Sequence, residues 1–142
     1  MKILLATDGS ESAMRATRRL IDHLRHYREP PFIEVLTVHL PVPNVPQLST
    51  IVPKSAIDQY YADESGEMLK PVCSMLDDAD VRHQSKARIG AIAECIVSES
   101  KDGGFDFIWM GTHGRTAIGN MVLGSTATKV LHLAEVPVVM VR

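Results

Sequence analysis

"FIWMGTHGRTAIGNMVLGSTATKVL", residues 107–131, decides the fold of this 142-residue chain. The stretch begins with an apolar run of four residues, which is typical of a strand buried on both faces. It continues through four glycines and ends where Ala127, Val130 and Leu131 recur at helical spacing. A strand, a glycine-rich loop and a helix in this order predict one unit of a parallel sheet, with a ligand site where the strand ends.

The rest of the chain repeats this alternation of strand and helix. Short apolar or alternating runs predict strands at residues 2–7, 32–40, 81–87, 105–110 and 136–141. Helical spacing predicts helices at residues 10–27, 56–77 and 125–134, and a further helix marked by Ile89, Ile92, Ala93 and Ile96. Pro71 is expected to break or kink the helix that contains it.

The alternation predicts an α/β fold with a five-stranded parallel sheet and helices on both faces. The strand at 81–87 carries Arg82 and Lys86, so we expect it at an edge of the sheet. The strands at 2–7 and 105–110 are the most apolar and should lie centrally. The order 3-2-1-4-5 satisfies both conditions. It creates a switch point between strands 1 and 4, where ligands bind beyond the carboxyl ends of the strands.

Composition limits the function. The chain is 45% hydrophobic with a formal net charge of −2, which predicts one folded domain over residues 1–142 and no nucleic-acid partner. The longest apolar runs are too short for a membrane span or a secretory signal, so we expect a cytoplasmic protein without membrane contact. Cys73 and Cys95 show no motif spacing and are interpreted as reduced packing residues.

The glycine-rich loop has two interpretations. Gly111 and Gly114 can adopt backbone conformations closed to other residues and remove side chains where a ligand approaches. The helix starting at Gly124-Ser125-Thr126 offers free N–H groups and a partial positive charge, which suit a phosphate. Alternatively the glycines only form turns, and Ser125 or Thr126 is an ordinary N-cap. The chain lacks the patterns G-x-x-x-x-G-K-[ST] and, after strand 1, G-x-G-x-x-G, which excludes a P-loop and the usual dinucleotide fingerprint.

The spacing of Gly111, Gly114 and Gly124-Ser125 resembles the ATP-binding motif of universal stress proteins. The segments "ILLATDGSESAMRA", "VLTVH", "FDFIWMGTHGRTAIGNMVLGSTATKVL" and "VPVVMV" are also similar to that family and stand in its order. The resemblance covers nearly the whole chain and is weakest over residues 41–80. It implies the Rossmann-like fold of the adenine nucleotide alpha hydrolase-like group, a dimer, and membership of the subgroup that binds ATP, with magnesium able to arrive with the nucleotide.

The resemblance also implies a set of binding residues. Asp8 would face the ribose or the adenine, while the phosphates and the ribose would be held by the glycine loop and the helix start. The implied ligand-contacting residues are Ala6, Thr7, Asp8, Val38, Met110, Gly111, His113, Gly114, Arg115, Gly124, Ser125 and Thr126. Several have structural alternatives: Asp8 or Ser10 could cap the first helix, Val38 and Met110 could be core residues at strand ends, and Arg115 could be solvated.

Residue chemistry gives little support for catalysis. The two loops at the switch point contain no lysine, and His113 is the one plausible acid or base there. We therefore name no catalytic residue and no metal ligand. The favoured hypothesis is a nucleotide-sensing regulatory protein of the stress response, with an unknown protein partner. The alternatives are a slow ATPase or nucleotidyl or phosphoryl transferase, and an interaction scaffold with an empty pocket.

Two further predictions concern surfaces. The strand at 136–141 is apolar throughout, and an exposed apolar edge invites pairing with a second chain, so we expect a homodimer through this strand. Residues 41–55 hold four prolines and follow strand 2 on the ligand side. They are expected to form a flap over the adenine end or a mere surface connection.

Overall fold

A computed structural model of the chain describes residues 1–42, 52–114 and 123–142. Strand and helix alternate through these residues, as the sequence predicts. The elements in chain order are β1 (Lys2–Ala6), α1 (Glu11–Leu24), β2 (Phe32–His39), α2 (Lys54–Asp78), β3 (His83–Ile89), α3 (Ile92–Asp102), β4 (Phe107–Gly111), α4 (Ser125–Leu133) and β5 (Val138–Val141). Most of the predicted proline-rich flap falls within residues 43–51, outside the described residues.

The five strands form one parallel sheet in the order β3-β2-β1-β4-β5. This order confirms the predicted topology and places the polar strand β3 at one edge and β5 at the other. At the centre, Ala6 of β1 pairs with Leu36 of β2 and with Met110 of β4. The carboxyl ends of β1 and β4 therefore lie side by side at the predicted switch point.

Alternate side chains of the strands build a separate core on each face of the sheet. Leu4 and Ala6 face α3 and α4, while Ile3 and Leu5 face α1 and α2. Trp109 packs on the α1/α2 face, and its Nε1 donates a hydrogen bond to the carbonyl of Ala16 at 2.9 Å. Because both faces are covered, the central strands are apolar on both sides, which explains their continuous apolar sequence.

Helix α2 runs unbroken through Pro71, so of the predicted break or kink the break is wrong, and the kink stays a prediction. Proline removes one backbone hydrogen bond within the helix. On the carboxyl side of this position Val72 and Leu76 are fully buried against the sheet, and Ser65 is buried on the amino side. Tertiary packing on both sides therefore holds the helix continuous.

Strand β3 begins two residues later than predicted because the end of α2 uses the intervening residues. Asp80 adopts a left-handed conformation with φ of 54°, and the N–H of Val81 donates to the carbonyl of Leu76. Pairing with β2 starts at His83 and continues to Ile89, which the sequence placed in the third helix. Other element ends differ from the predictions by no more than three residues.

Two smaller observations complete the fold. Cys95 is buried and Cys73 half-buried, and both are free thiols. None of the helices in residues 1–42, 52–114 and 123–142 combines the length and the apolar character that crossing a bilayer requires.

Candidate functional site

A cavity opens at the carboxyl ends of β1, β2 and β4, on the side of the sheet covered by α3 and α4. Its volume is about 160 Å³, whereas one water molecule needs roughly 10–15 Å³ on the same measure. Its lining residues are Ala6, Thr7, Asp8, Ala13, Leu36, Val38, Ile92, Ile96, Met110, Gly111, Thr112, His113, Gly114, Gly124, Ser125, Thr126 and Ala127. Eleven of the twelve residues named from the sequence thus line one cavity, and the twelfth, Arg115, lies outside the described residues.

The loop after β1 is held by short local hydrogen bonds. The Asp8 carboxylate accepts from the N–H of Ser10 at 3.0 Å, and the Thr7 hydroxyl accepts from the N–H of Gly9 at 3.1 Å. Ser10 is the N-cap of α1, since its hydroxyl accepts from the N–H of Ala13 at 3.2 Å. The alternative in which Asp8 caps this helix is therefore wrong, and the carboxylate lies at the wall of the cavity.

Gly111, at the end of β4, and Gly114, in the loop after it, both allow close packing against the region that follows β1. A Cβ on Gly111 would lie 2.5 Å from the hydroxyl of Ser12, and one on Gly114 would lie 3.0 Å from the Asp8 carboxylate. Neither glycine has a positive φ, so neither uses the backbone conformations that only glycine allows. The absence of a side chain is what matters at both positions, because it lets the end of β4 pack on the first turn of α1 and lets the loop after β4 approach Asp8.

Helix α4 begins directly at the cavity. Gly124 occupies its N-cap position, and within the described part of the chain no side chain caps this helix. The alternative in which Ser125 or Thr126 is an ordinary N-cap is therefore wrong. These residues form the first turn of the helix and line the cavity. Without a capping side chain, the first-turn N–H groups are available to an anionic ligand at the positive end of the helix dipole.

The opposite end of the cavity is apolar. Leu36 and Val38 come from alternate positions of β2, and Ile92 and Ile96 come from the first turns of α3. Met110 reaches the same space from β4. Val38 and Met110 are 8% and 7% exposed, so they belong to the core and line the cavity at the same time.

Sequence reasoning missed six of the lining residues. They are Ala13, Leu36, Ile92, Ile96, Thr112 and Ala127. Leu36 could have been found, because it stands two positions before Val38 on the same face of one strand. Ile92 and Ile96, spaced by four on the helix after β3, carried a similar signal once the sheet order was predicted.

Asp8 and His113 are the titratable side chains among the described lining residues. The Nδ1 of His113 lies 2.9 Å from the hydroxyl of Thr112, and its backbone N–H lies 3.4 Å from the hydroxyl of Ser12. The cavity therefore joins an apolar end to a polar end that has one carboxylate, several hydroxyls and a helix N-terminus. This arrangement suits a ligand with a flat apolar group joined to an anionic group.

Comparison with known proteins gives the family. The model of the Universal stress protein family matches residues 1–142. The universal stress protein MJ0531 of Methanocaldococcus jannaschii is 27% identical over 141 residues, which cover 99% of this chain and 81% of that protein. The solved structure of the protein MJ0577 superposes with a TM-score of 0.81 at 24% identity, covering 99% of this chain and 94% of the other.

A further solved structure, a universal stress protein in complex with cAMP, superposes with a TM-score of 0.72 at 19% identity. The match covers 100% of this chain and 97% of that one. The family match over the whole length agrees with the predicted topology and with the predicted resemblance. The chain belongs to the universal stress protein family.

Proposed function

We propose that this chain binds an adenine nucleotide, ATP foremost, in the cavity between the loops after β1 and β4. The observation that carries the proposal is the pairing of an apolar end, formed by β2 and α3, with the uncapped start of α4. A base has apolar faces that fit the first, and phosphates fit the second. The cAMP complex of a structural neighbour supports an adenine nucleotide as the ligand class.

Each part of the nucleotide has candidate contacts. The adenine would lie against Leu36, Val38 and Met110, because these side chains form the apolar wall. The Asp8 carboxylate is an acceptor for ribose hydroxyls. The first-turn N–H groups and hydroxyls of Ser125 and Thr126 would donate to phosphate oxygens. A magnesium ion would arrive with ATP and keep mostly phosphate oxygens and water as ligands.

We further propose that binding, rather than rapid turnover, is the function. Phosphoryl transfer requires a positioned nucleophile and cations that neutralise the developing charge. The described wall provides one carboxylate and one histidine, which suits recognition better than charge neutralisation. The protein would then act as a cytoplasmic sensor of adenine nucleotide levels in the stress response. Its contact with an unknown protein partner would depend on whether nucleotide is bound.

The proposed sensor is a homodimer that pairs through β5. This strand is at the edge of the sheet, and its four residues, Val138–Val141, are half-buried and apolar. Pro137 precedes the strand, so its missing N–H does not interrupt the free edge. Antiparallel pairing of two such edges would close the assembly with two-fold symmetry.

Two measurements test this function. Mass spectrometry of small molecules released from protein purified without added nucleotide should detect an adenine nucleotide in amounts comparable to the protein. An ATP turnover assay should show slow hydrolysis or none. Turnover at ordinary enzymatic rates would favour the ATPase alternative, and the absence of any nucleotide both in the released material and after incubation with ATP would favour the scaffold.

A further inference from the structure

The helices on one face of the sheet separate positive from negative charge. Residues 11–28, which contain α1, hold five arginines against two carboxylates. Residues 54–78, which form α2, hold six carboxylates against two lysines. Both helices cover the same core cluster, so a basic helix and an acidic helix lie side by side on this face.

The charges of this face are exposed. Arg18 and Arg19 on α1 face solvent, as do Asp77 and Asp78 on α2. Among the described residues, no ion pair joins α1 to α2. The pairs recorded there are Arg15–Glu11 within α1, and His83 with Asp77 at 3.9 Å, in which the Asp77 side chain remains 72% exposed.

On the α3/α4 face, by contrast, ion pairs join the two helices. Lys129 of α4 pairs with Glu94 of α3, and Lys101 of α3 pairs with Glu135 just after α4 at 2.8 Å. These four charges on the α3/α4 face are therefore matched within the chain. On the α1/α2 face, the exposed pairs Arg18–Arg19 and Asp77–Asp78 have no such cross-helix ion pair among the described residues, and another molecule could match them.

From this contrast we infer that the α1/α2 face is a docking surface for the same face of a second copy of this chain. A polyanion or polycation would be attracted by one helix and repelled by the other. The same face of a second copy presents one basic and one acidic helix, so each helix can lie against a helix of opposite charge. A two-fold axis that lies in the interface, parallel to the helices and between them, places α1 of each copy on α2 of the other.

The two helices are in register for this contact. They run in the same direction, because each returns from the carboxyl end of one parallel strand to the start of the next. Gly9, just before α1, lies level with Met68 of α2, since a Cβ on Gly9 would be 3.0 Å from the Met68 Cα. Arg18 is nine residues after Gly9, and Asp77 is nine residues after Met68.

Eight of the nine residues after Gly9 lie in α1 and all nine after Met68 lie in α2, so Arg18 and Arg19 come within about one helical turn of the height of Asp77 and Asp78. The symmetry axis preserves height along the helices. Each copy therefore offers its two arginines to the two aspartates of the other, which gives two equivalent clusters in one closed interface. This association is separate from the proposed pairing through β5, which uses an edge of the sheet.

An association through exposed charges depends strongly on salt. The screening length is about 30 Å at 0.01 M ionic strength and about 3 Å at 1 M. The average mass of the wild-type protein, measured by sedimentation equilibrium, should rise at least twofold when the ionic strength is lowered from about 1 M to about 0.01 M. An unchanged mass across this range would overturn the inference, whatever the nucleotide binding and the state of β5 prove to be.

Charge reversal locates the contact. The variants R18E/R19E and D77K/D78K should each keep the high-salt mass at low salt, because each then carries like charges on both helices of the face. An equimolar mixture of the two should regain the raised mass of the wild type at low salt, since one variant is acidic at the contact and the other is basic. Circular dichroism checks that both variants fold.

A matched control removes the effect of net charge. The variant K101E/K129E changes the formal charge as much as R18E/R19E does, but on the α3/α4 face. By itself it should still show the raised mass of the wild type at low salt, and it should not form a mixed complex with D77K/D78K. Equal loss of self-association in this control, or a mixture of the reversed variants that fails to associate, would contradict the proposed contact.

Discussion

The two faces of the sheet are built from the same strands but fill their space differently. On the α1/α2 face, Trp109 and Leu20 fill the layer between sheet and helices, and the indole N–H bonds to a helix carbonyl. On the α3/α4 face, the position at the end of β1 is Ala6, and Ala127 faces it from α4. These small residues leave room for the cavity at this end of the sheet.

This difference teaches that side-chain size at alternating positions, together with loop composition, makes the site. Along β4, Trp109 points to one face and Met110 to the other. A large side chain is tolerated on the α1/α2 face because stability alone depends on it. On the α3/α4 face the core is incompletely packed at the carboxyl ends of the strands, where the cavity lies. Substitutions of the cavity-lining residues should therefore affect ligand binding more than folding.

The largest expected effect is on stability, from a substitution on the α1/α2 face. Trp109→Ala should lower the free energy of unfolding by about 3–5 kcal/mol, because it removes the largest buried ring and leaves a hole. Met110→Ala on the other face should cost roughly 2 kcal/mol, the low end for such a change, since Met110 already borders a cavity. Urea unfolding followed by circular dichroism measures both.

Nucleotide binding should show the reverse ranking. The fraction of Trp109→Ala that remains folded should bind ATP as the wild type does, and Met110→Ala should bind it more weakly. Equal loss of stability in the two variants, or weaker ATP binding by Trp109→Ala alone, would remove the distinction between a structural face and a binding face.

The second effect is on binding. Gly114→Val should weaken ATP binding at least about 100-fold, equivalent to about 2.8 kcal/mol, while the domain stays folded. The added side chain would press on the Asp8 carboxylate, which lies 3.0 Å from the Cβ position. Equilibrium dialysis measures the affinity. Gly66→Val is the matched control, because a Cβ at Gly66 meets no atom within 4 Å; a Gly114→Val protein that binds like this control would place the site elsewhere.

The third effect concerns β5, which borders both faces. Val139→Lys puts a charge into the proposed apolar seam and should halve the mass measured by light scattering at high salt. Met140→Lys, whose side chain belongs to the other face, should do the same. Ser85→Lys on the opposite edge strand should leave the mass unchanged. A wild-type mass near 15.6 kDa at micromolar concentration would show that this edge does not pair.

The smallest effect is a pH dependence on the α3/α4 face. Burial first, and then the nearby Glu99 carboxylate, raise the pKa of the Glu34 carboxyl above its ordinary value of 4.5, while Lys86 opposes this shift. One oxygen of Glu34 is buried without a hydrogen-bond partner among the described residues. The protonated form is therefore favoured by folding.

The sign of the pH dependence follows from this direction. A raised folded pKa gives stability that is complete below the unfolded pKa and is lost as pH rises through the folded value. Glu34→Gln should abolish this loss and be more stable than the wild type at neutral pH. Urea unfolding at several pH values tests it, with Glu67→Gln on α2 as an exposed control; identical pH profiles for the wild type and Glu34→Gln would contradict the assignment.

Much of the fold was predictable because one property decides it. Continuous apolar runs such as 107–110 require a sheet buried on both faces, and the charges of β3 assign it to an edge. Element ends were less predictable. The start of β3 depends on how Asp80 and Val81 close α2, and the continuity of α2 at Pro71 depends on the burial of Val72 and Leu76. These are tertiary effects that no local pattern contains.

The site was predictable where it uses loops and unpredictable where it uses the core. Asp8, Gly114 and Ser125 stand out in the sequence as polar or small residues after apolar runs. Ile92 and Ile96 look like any core residues until α3 is placed beside β2. The role of Gly111 also required the structure, because the close neighbour that excludes a side chain is Ser12, far away along the chain.

Calorimetric titration of nucleotide-free protein with ATP, adenosine and inorganic triphosphate tests the central claim most directly. If the apolar end of the cavity and the start of α4 act together, each chain binds one ATP. ATP then binds more tightly than adenosine alone or triphosphate alone. Binding of ATP no tighter than that of triphosphate alone, or no heat of binding from ATP, would contradict the account.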